Sequence, residues 1–120
     1  MRVLVTGATG KIGNAVARRL ADRGEQVVAL VRDPGRAREL LPESVEPATG
    51  DVTDPGSVER AVAGAEVAVN CMGIFEQWTR DPGVFDRVNA VGAECVARAA
   101  REAGARRIVQ TSTFDVFDAP

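Results

Sequence analysis

Residues 2–13 read RVLVTGATGKIG, and this stretch decides the fold. Arg2–Thr6 is a short aliphatic, β-branched run that ends in glycine, the pattern of a buried strand. Ile12, Val16 and Leu20 then recur at four-residue spacing, which is one face of a helix over residues 11–23. The loop between them is Thr6-Gly7-Ala8-Thr9-Gly10-Lys11-Ile12-Gly13. Gly7 permits the tight turn. Gly10 removes a Cβ where a phosphate must approach the backbone, and Gly13 lets the helix pack close to the strand. Free N–H groups and the dipole at the helix start favour a pyrophosphate. The glycines are spaced one residue wider at the front than in the commonest dinucleotide fingerprint, but the strand–turn–helix context is present. A dinucleotide is the expected ligand.

The rest of the chain repeats the strand–helix alternation. Gly24 ends the first helix and Gln26–Val31 is a second buried strand. Pro34 to Leu41 is a short helix, and Val45–Asp51 a weak third strand. Asp54 is expected to cap a helix that opens on Pro55 and runs to about Ala63. Glu66–Met72 is a fourth strand and Arg107–Thr111 a fifth. Between these two lies a long helix opening at Asp81–Pro82 and ending near Gly104, with Phe85, Val88, Val91/Gly92, Cys95/Val96 and Ala99 on one stripe. The strands are near-continuous apolar runs, as in parallel sheets covered on both faces. The expected fold is α/β: a Rossmann-type, doubly wound parallel sheet of five strands in the order 3-2-1-4-5, ending after strand 5, in one domain over residues 1–120. Ligands of such sheets bind outside the carboxyl ends of the strands, beside strand 1.

The tip of strand 2 reports on the dinucleotide. A carboxylate there would hold ribose hydroxyls, but Val31 is followed by Arg32, whose guanidinium suits a 2′-phosphate. NADP(H) is therefore favoured over NAD(H). Asp33 leaves three roles open: pairing with Arg32, capping the next helix, or accepting from the ribose. After strand 3, Asp51 is a candidate acceptor for the adenine amino group, with Val52 covering the ring. Gly73, after Asn70-Cys71-Met72, would let the backbone pass close to the cofactor ribose.

Composition limits the chemistry. The 120 residues contain no histidine and no tyrosine, and Lys11 is the only lysine. Histidine-based nucleophilic catalysis and imidazole metal ligation are excluded. A formal net charge of −2 offers no electrostatic footprint for nucleic acid or membrane binding. The start lacks a signal-peptide pattern, so the cytoplasm is the expected location. Cys71 and Cys95 read as reduced, buried small residues.

TGATGKIG, the GDVTD step, VNCMG and the VNAVG run at 88–92 resemble the extended and atypical short-chain dehydrogenases/reductases, the NAD(P)-dependent epimerase/dehydratase superfamily. Residues 75–113 look most like its dihydroflavonol-reductase-like and sugar-epimerase-like branches. The resemblance covers essentially the whole chain. It implies that Gly7, Thr9, Gly10, Lys11, Ile12 and Gly13 hold the diphosphate and Arg32 the 2′-phosphate. Asp51 and Val52 match the adenine pair, and Cys71, Met72 and Gly73 the segment along the ribose. Asn89 and Thr111 match positions near the cofactor. The catalytic hydroxyl matches Thr113, with Ser112 as second choice, donating a hydrogen bond to the substrate oxygen. Phe117-Asp118 stands where the family usually has Tyr-Gly.

The family's Tyr-x-x-x-Lys pair is absent, so these residues alone are expected to bind the cofactor without turnover. Two explanations compete: the N-terminal portion of a longer oxidoreductase acting on a small-molecule carbonyl or alcohol, or a complete, non-catalytic NADP(H)-sensing or structural module. A fragment is expected to expose the strand 5 edge, and either to form a homodimer through it or to be poorly soluble.

Overall fold

The computed structural model describes residues 1–72, 83 and 86–112. Among these the chain forms β1 (Arg2–Thr6), α1 (Lys11–Asp22), β2 (Gln26–Val31), α2 (Pro34–Leu40), β3 (Glu46–Thr49) and α3 (Pro55–Val62). It continues with β4 (Val67–Asn70), α4 (Asp86–Gly92), α5 (Ala93–Glu102) and β5 (Arg107–Gln110). The five strands pair in parallel in the order β3-β2-β1-β4-β5, so the doubly wound α/β expectation is met. β1 sits at the centre: Val3 registers with Val27 on one side and with Val67 on the other.

Successive strand residues face opposite sides of a sheet, so a continuous apolar strand builds two cores. Val3, Val5, Val27 and Ala29 join Ala17 of α1 and Ala37 of α2 on one side. Leu4, Val28 and Leu30 join Val58 and Val62 of α3 and Val96 of α5 on the other. Leu4 exposes no surface, and burying a side chain of that size contributes about 2 kcal/mol. With both faces covered, the strands' carboxyl ends and the loops leaving them remain as the place for a site.

Three expectations change. Ile12, on the apolar face expected for α1, is 53% exposed; the buried residues are Gly13 and Ala17. Lacking bulk, these two let the helix approach the sheet, and the contact line follows them and not Ile12. The long helix before β5 is not α-helical throughout: residues 86–92 wind as a π-helix before the α-helix of 93–102. The expected stripe is kept: Val88 and Gly92 are buried, and of the pair Val91/Gly92 it is Val91 that is exposed. The expected opening at residues 81–82, and Phe85, lie outside the described residues. β5 departs from the buried-strand pattern, since all four of its residues are exposed. Among the described residues it is an edge strand paired only with β4, with Ile108 at 39% and Val109 at 41% exposure.

Candidate functional site

The loop after β1 is built by close approach. Gly7 has φ +67°, in the left-handed region that disfavours side chains. A Cβ there would also stand 2.7 Å from the Cys71 carbonyl oxygen at the end of β4. A Cβ on Gly13 would lie 2.0 Å from the Gly7 carbonyl oxygen, so α1 seats directly on the loop. Gly10 differs. Among the described residues a Cβ on it would meet only the Gly7 carbonyl oxygen, at 3.3 Å, so these neighbours do not require a glycine. The Gly10 N–H donates to the Gly7 carbonyl at 3.0 Å and closes the turn.

Gly10 is also the N-cap of α1. It brings no side-chain hydrogen bond, and the first turn has no acidic residue. The leading N–H groups of a helix have no partner within it. Here the first of them belong to Lys11, Ile12 and Gly13, with a lysine cation beside them. An anion is the group that such a helix start accommodates.

Thr6, Gly7, Thr9, Arg32, Asp51, Val52 and Met72 line one cleft at the carboxyl ends of β1 to β4. Arg32 is exposed and forms no ion pair among the described residues. Asp33 resolves to the second of its three open roles: its Oδ1 accepts from the N–H groups of Gly35 and Arg36, at 3.0 and 3.2 Å, and caps α2. Asp51 Oδ1 accepts from the Thr53 N–H and from its hydroxyl, both at 2.9 Å. Val52 is buried beside it. A larger concavity, lined by Ala37, Leu41, Pro42 and Val45, opens at the amino end of β3, remote from these loops.

The expected capping bond of Asp54 is not made, although Asp54 occupies the N-cap of α3. Ser57 does the work in its place. Its buried Oγ accepts from the Asp51 N–H at 3.0 Å and lies 2.8 Å from the Asp54 carbonyl, to which it donates. The turn that carries Asp51 and Val52 is thereby tied to α3. Ser57 was not singled out from the sequence; its position in the first turn of a predicted helix, just after GDVTDPG, was the available signal.

Asn70 was also missed as a working residue. It is buried at the end of β4, where its Oδ1 accepts from the Thr6 hydroxyl and from the Met72 N–H at 3.3 Å. Its Nδ2 donates to Gln110 Oε1 at 2.8 Å. Its carbonyl accepts from the Thr111 hydroxyl at 3.0 Å. One side chain therefore bridges β1, β4 and β5. The Thr111 hydroxyl, expected near the cofactor, is spent on this link.

Ser112 is exposed after β5, and Asn89 is exposed on α4. Gly73 and Thr113 lie outside the described residues. Cys71 is buried, and burial pushes its thiol above the ordinary range; Cys95 shifts the same way for the same reason. A thiol raised by folding contributes stability that is present below its unfolded pKa and lost as pH rises through the folded value. Alkylation of Cys71 by iodoacetamide should therefore be slower in the native chain than in the urea-unfolded chain at pH 8. Equal rates would contradict the burial. No described helix is long and apolar enough to cross a membrane.

A family model described as NAD(P)H-binding matches residues 7–120. Sterol demethylase protein B of Methylococcus capsulatus is 38% identical over 114 residues, which are 95% of this chain and 35% of that protein. Ceramide reductase of Caulobacter vibrioides is 42% identical over 113 residues, 92% of this chain and 34% of the relative. The chain thus spans about a third of the length of these curated relatives. Among solved structures, a short-chain dehydrogenase/reductase superfamily protein from Agrobacterium tumefaciens with bound NAD aligns with a TM-score of 0.85 at 25% identity. That alignment covers 98% of this chain and 34% of the other. The glycine loop, the 3-2-1-4-5 sheet and these matches lead to one assignment: the chain belongs to the NAD(P)H-binding family and has the fold of the short-chain dehydrogenases/reductases.

Proposed function

We propose that this chain is the cofactor half of an NADP(H)-dependent reductase acting on the carbonyl of a small molecule. The observation that carries the reading is the cleft in which the glycine loop, Arg32 and Asp51 meet. The open Cβ position at Gly10 fits a phosphate drawn up to the backbone. The N–H groups opening α1, with Thr9 and Lys11, hold the diphosphate. Arg32 takes the 2′-phosphate, and its lack of an ion pair among the described residues leaves the guanidinium available for bidentate binding. Asp51 uses Oδ1 for its own turn and keeps Oδ2 for the adenine amino group. Val52 covers the ring, and Cys71, Met72 and Gly73 run along the ribose. Asn89 is assigned a place near the cofactor by the family resemblance alone.

When bound, the reduced nicotinamide supplies the hydride. The part of this chain is to hold that cofactor and, through the hydroxyl of Thr113 or Ser112, to donate a hydrogen bond to the substrate oxygen. The name of the ceramide reductase relative favours reduction over epimerisation or dehydration. These 120 residues contain no tyrosine, and their one lysine sits in the phosphate loop, so the isolated chain binds without turnover. We place the protein in the cytoplasm, and the exposed β5 edge is where a homodimer would form.

Calorimetric titration with NADPH and NADH tests the proposal, and binding of neither would end it. Arg32→Ala should weaken NADPH by about 1–3 kcal/mol, the scale of a charge-assisted contact. NADH should be barely affected. Equal losses would remove Arg32 from the 2′-phosphate.

A further inference from the structure

We propose that Gly92 is a positioning residue for adenine recognition: the space above its Cα is filled by Val52, and this contact seats the wall on which the ring rests. The inference rests on the dinucleotide reading and moves one layer outward from it. A Cβ on Gly92 would stand 2.8 Å from Val52 Cγ2 and 3.3 Å from Val52 Cβ. It would also come within 3.1 Å of the Arg87 carbonyl oxygen, one π-turn earlier. Neither neighbour has slack. Val52 is 3% exposed and packs in the same cluster as Val88 of α4.

The turn below Val52 cannot retreat. Ser57 holds the Asp51 N–H, and a Cβ on Gly50 would lie 2.5 Å from Ser57 Cβ. The segment 50–52 is thus pressed between α3 on one side and α4 on the other. A methyl group on Gly92 must push Val52, and Asp51 with it, toward the cleft that both residues line. Glycine inside a helix is costly relative to alanine, so its presence calls for a packing reason, and the Val52 contact supplies one. The π-helical winding of 86–92 is what brings Gly92 to the buried side while Val91 is exposed.

The test uses the chain as it stands, with two probes: NADH and reduced nicotinamide hypoxanthine dinucleotide. The second lacks the amino group that Asp51 would accept. The wild-type chain should bind the adenine form more tightly. Gly92→Ala should weaken NADH about tenfold, within the range of couplings measured between touching residues, and bring the two dinucleotides to within about twofold. In a Val52→Ala background the same change should cost nothing further, because the crowding is gone. Should Gly92→Ala fail to fold alone, Val52→Ile presses on the contact from the other side and should erase the same selectivity.

Additive losses in the double variant, or an equal drop for both dinucleotides, would overturn the proposal. So would equal wild-type affinities. A wild-type chain that binds neither dinucleotide would overturn the underlying dinucleotide reading, a result distinct from all of these.

Discussion

Gly10→Ala and Gly13→Ala are expected to fail in opposite ways. Gly13→Ala should destabilise the fold by about 3 kcal/mol, the upper part of the usual range for overpacking. Its Cβ would fall 2.0 Å from the Gly7 carbonyl oxygen, which is backbone and cannot swing aside. Helix α1 would have to lift from the sheet and expose the cluster around Ala17. For a chain of this size, a melting temperature lower by roughly 10 °C is expected. Gly10→Ala should cost less than about 1 kcal/mol of stability, the scale of losing a good N-cap residue. Its φ of −85° suits any residue, and among the described residues its Cβ would meet one atom, at 3.3 Å. Dinucleotide affinity should nevertheless drop by about 2 kcal/mol, roughly thirtyfold in Kd, as the methyl group keeps the phosphate off the N–H groups. Calorimetry on both variants, with thermal melts, separates the two effects. A Gly10→Ala chain that still binds NADPH normally would remove Gly10 from the phosphate site.

Asn70→Ala is expected to loosen the sheet at the site, at a cost of about 1–3 kcal/mol, since it leaves the buried Thr6 hydroxyl without its acceptor. The half-buried Met72 N–H also loses an acceptor, and the exposed Gln110 Oε1 loses its bond to Nδ2. The damage should be uneven. β5 is exposed along its whole length and is held by its ladder to β4 and by the Asn70–Gln110 bond. Hydrogen exchange should therefore lose protection at 107–110 well before β1 and β2. A uniform loss across all strands would show that Asn70 supports the whole sheet and not β5 in particular.

The first of these cases lies where sequence reading succeeds, the second where it does not. The roles of Gly7 and Gly13 were legible because loop, strand and helix are contiguous, and spacing within 2–13 already implies the turn. The roles of Ser57, Asn70 and Gly92 were not. Asn70 reaches Thr6 across 64 positions and Gln110 across 40. Gly92 owes its role to Val52, forty positions earlier in the chain. Such pairings exist only once the sheet register and the helix rotation are set. No local pattern encodes them.

By itself the sequence determined the alternation of strands and helices, the parallel order and the phosphate-type loop. Each of these follows from local periodicity, from glycine at defined spacing, or from the handedness of crossovers. Only the tertiary structure decided which polar atoms are spent and which remain. Asp33 is committed to α2, Thr111 to Asn70, and one oxygen of Asp51 to its own turn, while Arg32 stands without an ion pair among the described residues. The physical reason is that hydrogen-bond partners are chosen by proximity in space, and proximity in space is what folding creates.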